Sequence, residues 1–129
     1  MKNAIVLISH SKAITDGLKQ LIETMVNFDR DTLAVYSAGG SDEGEIGTTP
    51  MVVLDQFNQA KAADHVYVFT DMGSAVMSAE TALSFMEDAE QKHFTLLTDA
   101  PLVEGAYVAS VQCSIDATQE QVIQAVKEA

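Results

Sequence analysis

The stretch that decides the fold is Ile5-Val6-Leu7-Ile8-Ser9-His10-Ser11-Lys12. A short, almost wholly apolar run ends in a histidine flanked by serines, and an amphipathic segment follows at once. A run of that length reads as a buried parallel strand. Open α/β folds place their chemistry at the carboxyl ends of such strands. His10 is therefore a candidate nucleophile or acid/base, to be weighed against the commoner case of a solvated loop histidine.

Outward from this junction, apolar runs alternate with segments of helical period. Strands are expected at Ala4–Ser9, Thr32–Ser37, Val66–Thr70 and Phe94–Thr98. Lys12–Phe28 carries Ile14, Leu18, Leu21, Ile22 and Met25 at helical spacing, and Thr49–Ala62 and Ser74–Ala89 read the same way. Pro101 opens a further helix, Leu102–Gln112, and Thr118 is an expected N-cap for Thr118–Ala129. The order β-α-β-α-β-α-β-α-α implies an α/β fold, a parallel sheet with helices on both faces in three layers. With right-handed crossovers, four strands fall most economically in the flavodoxin-like order 2-1-3-4. The switch point then lies between strands one and three, which brings together the loops that begin at His10 and Asp71.

The 129 residues fit one domain, 1–129, and 47% are apolar, enough for a real core. The first apolar run is too short to span a membrane and lacks the pattern of a secretory signal, so a cytoplasmic protein is expected. Nineteen acidic residues against seven basic ones give a net charge of −12. Nucleic acid and anionic membranes are poor partners for such a surface, whereas a basic protein is compatible with it, as is mere solubility. The single Cys113 sits in an apolar stretch and reads as an inert core residue. The six methionines are expected mainly at helical core positions. His65 and His93 precede strands three and four, at the far end of the sheet, and read as surface residues. Three dispersed histidines make no metal site. Without a P-loop or G-x-G-x-x-G pattern, no nucleotide or other cofactor is expected.

At the switch point the candidate pieces are His10 with Ser11, the loop Ser37–Pro50 with Gly39, Gly40 and Thr48, Asp71-Met72-Gly73-Ser74-Ala75 and, more peripherally, Thr98-Asp99-Ala100-Pro101-Leu102. Each suits phosphoryl transfer. A neutral imidazole can attack phosphorus. A carboxylate on one ring nitrogen, here Asp71, fixes the tautomer and aims the other. Helix N-termini and glycine-rich backbone supply donors for an anion. Against this, Asp71 could simply cap the third helix, and Gly-Gly is more often a turn than a phosphate cradle.

The same residues carry a resemblance. The segments IVLISHS, GG…GEIGTTP, VFTDMGSA and APLVEGA, in this order over essentially the whole chain, resemble the DhaM family, the phosphotransferase subunits of phosphoenolpyruvate-dependent dihydroxyacetone kinase. DhaM is in turn similar to the mannose-type IIA domains of the sugar phosphotransferase system. The resemblance implies that His10 is the phosphorylated residue and Asp71 its brace. It implies a homodimer that takes phosphate from HPr and passes it to ADP on the DhaL subunit, which serves DhaK. Because the chain ends after the IIA-like part, a separate HPr is expected. No fifth strand is read, which disfavours a strand exchange between subunits. Two other readings stay open at this point: a mannose-type IIA component serving a sugar permease, and a non-catalytic flavodoxin-like regulatory module. A receiver domain would need an acidic cluster where Ser9-His10-Ser11 stands.

Overall fold

Every residue of β1 (Asn3–Ile8) is buried, as a strand covered on both faces must be. The computed structural model describes residues 1–129 and places β1 between β2 (Leu33–Ser37) and β3 (His65–Thr70). β4 (Phe94–Leu96) pairs with the outer side of β3, and all four strands are parallel in the order 2-1-3-4. This is the α/β architecture expected from the sequence.

Alternation along β1 divides the core in two. Ala4, Val6 and Ile8 point toward α2 (Pro50–Ala60) and α3 (Ser74–Ser84), where Val53, Phe57, Ala79 and Ala82 are buried. Ile5 and Leu7 point to the other face, against Leu18 and Ile22 of α1 (Lys12–Met25). Cys113 of α5 (Leu102–Ser114) and Val122 of α6 (Gln119–Lys127) complete that layer. Cys113 is fully buried, and burial pushes its thiol up to about 12, so it is inert as expected.

Three expectations need correction. The segment Ser74–Ala89 is not one helix. α3 ends at Ser84, and Glu87 starts α4 (Asp88–Gln91) with a reciprocal cap to Glu90. β4 ends at Leu96 rather than Thr98. As an edge strand it has one neighbour, and its ladder stops where Leu97 N–H donates to Val68 O (2.8 Å). The methionines are not core. Only Met86 is buried, whereas Met51, Met72 and Met77 are more than half exposed. The small residues Ala75, Ala79 and Ala82 pack α3 close to the sheet, leaving no depth for a long side chain.

Candidate active site

The β1–β3 register pairs Ile8 with Thr70 at the carboxyl end of the sheet. One residue beyond, Asp71 N–H donates to Ile8 O (3.0 Å), so the ladder carries the two loops out together. Asp71 is then fully engaged. Its Oδ2 accepts from Ser9 Oγ (2.9 Å) and from His10 N–H (3.0 Å), and its Oδ1 accepts from Met72 N–H (2.7 Å). Both oxygens lie 3.1 Å from His10 Nδ1.

A carboxylate can only accept, so Nδ1 carries the proton and donates it. Burial by itself would raise the Asp71 carboxyl. The backbone N–H groups of His10 and Met72, helped by the side chains of His10 and Ser9, outweigh it and hold Asp71 below the usual carboxylate range. Asp71 is thus an anion whose partners all favour that state.

The opposite ring nitrogen, Nε2, carries the lone pair and faces Ser74 Oγ at 2.9 Å. The His10 side chain is 28% exposed and that of Asp71 16%, so the ring edge is reachable while its brace is sheltered. Two helices begin here. Ser11 caps α1, its Oγ accepting from Ile14 N–H (3.4 Å), and Ser74 is the first residue of α3 behind Gly73. Both N-termini bring the positive ends of their dipoles to the histidine, although Ile14 N–H is taken by Ser11 Oγ and Ala75 and Val76 N–H by Met72 O and Gly73 O (3.1 Å each). Gly73 at φ +54° and ψ −120° occupies backbone that only glycine adopts freely.

Thr48 lies beside Ser74, with their hydroxyl oxygens 3.0 Å apart. Gly39 and Gly40 are buried rather than open to a ligand. A Cβ on Gly39 would come within 2.6 Å of Ser11 O, and Gly40 sits at φ +79° with its N–H on Ser9 O (3.0 Å). These glycines are needed to seat the loop on the start of α1, and Gly47 N–H then reaches His10 O (2.8 Å).

Of the residues singled out in the sequence, the structure brings His10, Asp71, Ser74 and Thr48 into one hydrogen-bonded cluster. Ser11, Gly39, Gly40 and Gly73 shape the backbone around it. Ser9 and Ser78 were missed: Ser9 Oγ bonds Asp71, and Ser78 Oγ donates to Thr48 Oγ1 (3.0 Å). The four-residue spacing from Ser74 to Ser78 was the available signal, since it puts both on one helix face. His65 and His93 lie at the amino ends of their strands, remote from His10, and the exposed His93 donates from Nδ1 to Asp64 O (2.9 Å). No three His, Cys, Asp or Glu side chains converge as they would around a metal ion. A cavity of about 410 Å³ lies beside β4, between Leu96–Pro101 and the end of α6, and shares no lining residue with this cluster.

The chain's sequence matches a class of phosphotransferase domain. The family model for the PTS system fructose IIA component matches residues 4–123, and the chain belongs to that family. Within it, the chain is 42% identical, over 94% of both chains, to a PEP-dependent dihydroxyacetone kinase phosphoryl donor subunit DhaM of Listeria innocua. It is 34% identical to the phosphotransferase subunit DhaM of a PTS-dependent dihydroxyacetone kinase from Lactococcus lactis, over 95% of this chain and 91% of that one. A crystal structure of a protein of unknown function superposes with a TM-score of 0.89 at 38% identity, covering 100% of this chain and 96% of that one. The resemblance read from the four motifs is thereby borne out, and these relatives support a phosphotransfer role. No helix is long and apolar enough to cross a membrane.

Proposed function

We propose that the chain is a single mannose-type IIA-like domain, residues 1–129, that carries a phosphoryl group on His10 for a PEP-dependent dihydroxyacetone kinase. One observation carries the reading: both Asp71 oxygens bracket Nδ1, leaving the Nε2 lone pair directed outward beside the N-terminus of α3. Nε2 attacks the phosphorus of phosphorylated HPr. The Nε2–P bond forms as the bond from phosphorus to the donor breaks, and no proton moves. The ring becomes a cation, with Nδ1–H retained on the Asp71 anion, which stabilises it. In the second step an oxygen of ADP on DhaL attacks the same phosphorus, Nε2 leaves with its lone pair, and the ATP formed serves dihydroxyacetone held by DhaK. Ser74 and Thr48 hydroxyls and the N–H groups at the two helix starts are the donors for the phosphoryl oxygens.

The net charge of −12 suits a basic protein donor, approached under electrostatic attraction. The names of the relatives favour the dihydroxyacetone branch over a sugar permease. The protein works in the cytoplasm as a homodimer in this reading.

Incubation with labelled phosphoenolpyruvate, enzyme I and HPr should put acid-labile, alkali-stable label on the wild type and none on His10→Ala. Label retained in that variant would sink the mechanism. DhaL with ADP should discharge it, and discharge only by a permease would move the protein to the sugar branch.

A further inference from the structure

Beyond His10, Ser74 and Thr48 the hydrogen bonds continue to a residue that the transfer chemistry above does not use. Ser78 is 5% exposed, one turn further along α3, and its Oγ lies 3.0 Å from Thr48 Oγ1. The direction of the whole chain follows from Asp71. Nδ1 must give its proton to the carboxylate, so Nε2 can only accept, and Ser74 Oγ–H must donate to it (2.9 Å). A hydroxyl has one proton. Ser74 therefore has none for Thr48, and Thr48 must donate to Ser74 (3.0 Å). Thr48 has then none left for Ser78, and Ser78 must be the donor. The geometry at Ser78 independently gives Ser78 as donor to Thr48. Four protons thus point one way, from Ser78 through Thr48 and Ser74 to the ring and from the ring to Asp71.

We propose that Ser78 is a positioning residue for phosphoryl transfer: through Thr48 and Ser74 it holds the hydroxyl protons pointed at Nε2 of His10. This rests on the carrier reading above. Once the Nε2–P bond forms, the lone pair is gone and the Ser74 proton has lost its acceptor. The nearest new acceptors are the phosphoryl oxygens on the same atom. Ser74 turns its O–H to them, while Thr48, kept supplied by Ser78, donates to Ser74 or to phosphate. No proton enters or leaves, so the donors are in place before the phosphoryl group arrives. Without Ser78, Thr48 Oγ1 becomes an unfilled acceptor, and Ser74 is free to turn its proton toward Thr48 and away from the ring.

The test uses Ser78→Ala, Thr48→Val and the double variant in the full chain. Phosphorylation from labelled HPr should slow about 3- to 10-fold in Ser78→Ala, the size of one lost hydrogen bond. It should slow no further when Ser78→Ala is added to Thr48→Val, because both act on one chain. Wild-type rates in Ser78→Ala, or losses that multiply in the double variant, would overturn the proposal. Long-range ¹⁵N–¹H spectra of unphosphorylated His10 add a readout that a purely structural role would not move. The wild type should show one tautomer, protonated at Nδ1, and Ser78→Ala a measurable shift of the Nε2 resonance; an unmoved Nε2 signal would count against Ser78. The spectra need no phosphate, so a wild type that takes up no label sinks the carrier reading while they still decide whether Ser78 orders the imidazole.

Discussion

Asp71→Asn is the substitution that most directly separates bracing from helix capping. The carboxylate accepts four hydrogen bonds, from Ser9 Oγ, His10 N–H, His10 Nδ1–H and Met72 N–H. An amide has the same shape with one oxygen. Kept in the Oδ2 position, that oxygen still serves Ser9 and His10, while the NH₂ group faces the Met72 N–H and stands 3.1 Å from Nδ1, which keeps the oxygen as its acceptor. Met72 is 68% exposed, so water can take over, and the cost to stability sits at the low end for a lost partner, about 1 kcal/mol. For a chain of this size that lowers Tm by about 4 °C. The effect on transfer is larger. In the proposed transfer the phosphorylated ring is a cation, and in the variant the anion that faced it is gone. With allowance for partial solvent exposure, about 2–3 kcal/mol of transition-state stabilisation disappears, a slowing of roughly 30- to 160-fold. Rapid-quench measurement of label uptake from phosphorylated HPr reads the rate, and thermal unfolding followed by circular dichroism reads the stability. Uptake within threefold of the wild type, at the expected Tm, would refute the bracing role and leave Asp71 a helix cap.

Further outcomes follow from the same contacts. Because its partners hold Asp71 below the ordinary carboxylate range, its contribution to stability is present above about pH 5 and is lost as pH falls through the lowered value. The Tm gap between wild type and Asp71→Asn should therefore be flat near neutrality and narrow as the pH falls below the ordinary carboxylate range; a gap that widens in acid contradicts the assignment. Gly39→Ala drives a Cβ against Ser11 O and the α1 backbone, costing about 1–3 kcal/mol and displacing His10, so Tm and label uptake should fall together. Cys113 should resist a thiol reagent in the native protein and react only at the rate of unfolding, which denaturant-dependent labelling would show. Prompt modification without denaturant would mean that α5 leaves the sheet readily.

Much of this architecture was legible because burial on both faces demands it. The run Ala4–Ile8 can only be a central strand, and a central strand that ends in histidine points its loop at the switch point. What the pattern misjudged was sidedness. Ile14, Leu21 and Met25 share helical spacing with Leu18 and Ile22, yet all three are at least a third exposed, and the buried place on the first turn goes to Thr15. Thr15 is drawn inward by Ser37, whose Oγ lies 2.7 Å from its Oγ1, and by the close approach of Gly39, contacts that exist only once β2 lies beside α1. Part of the hydroxyl network was hidden for the same reason: Ser9 and Ser78 are unremarkable in the chain and reach Asp71 and Thr48 only once the strands and helices are assembled. The break after Ser84 turned on a reciprocal cap between Glu87 and Glu90, read easily in space and easily lost among other acidic residues.

The hydrogen bond from Asp71 N–H to Ile8 O is the last rung between the two central strands. A pair on free loops could drift while the sheet stayed whole, but here the rung ties the loop to the ends of the strands it leaves. The amide of Asp71 should therefore exchange with deuterium more slowly than those of the surrounding loops, although it stands at the rim of a solvent-facing site. A phosphoryl carrier must meet successive partners without loosening. In the proposed carrier role, fastening the pair to the ends of the two central strands meets that need and leaves adaptation between partners to the surrounding loops.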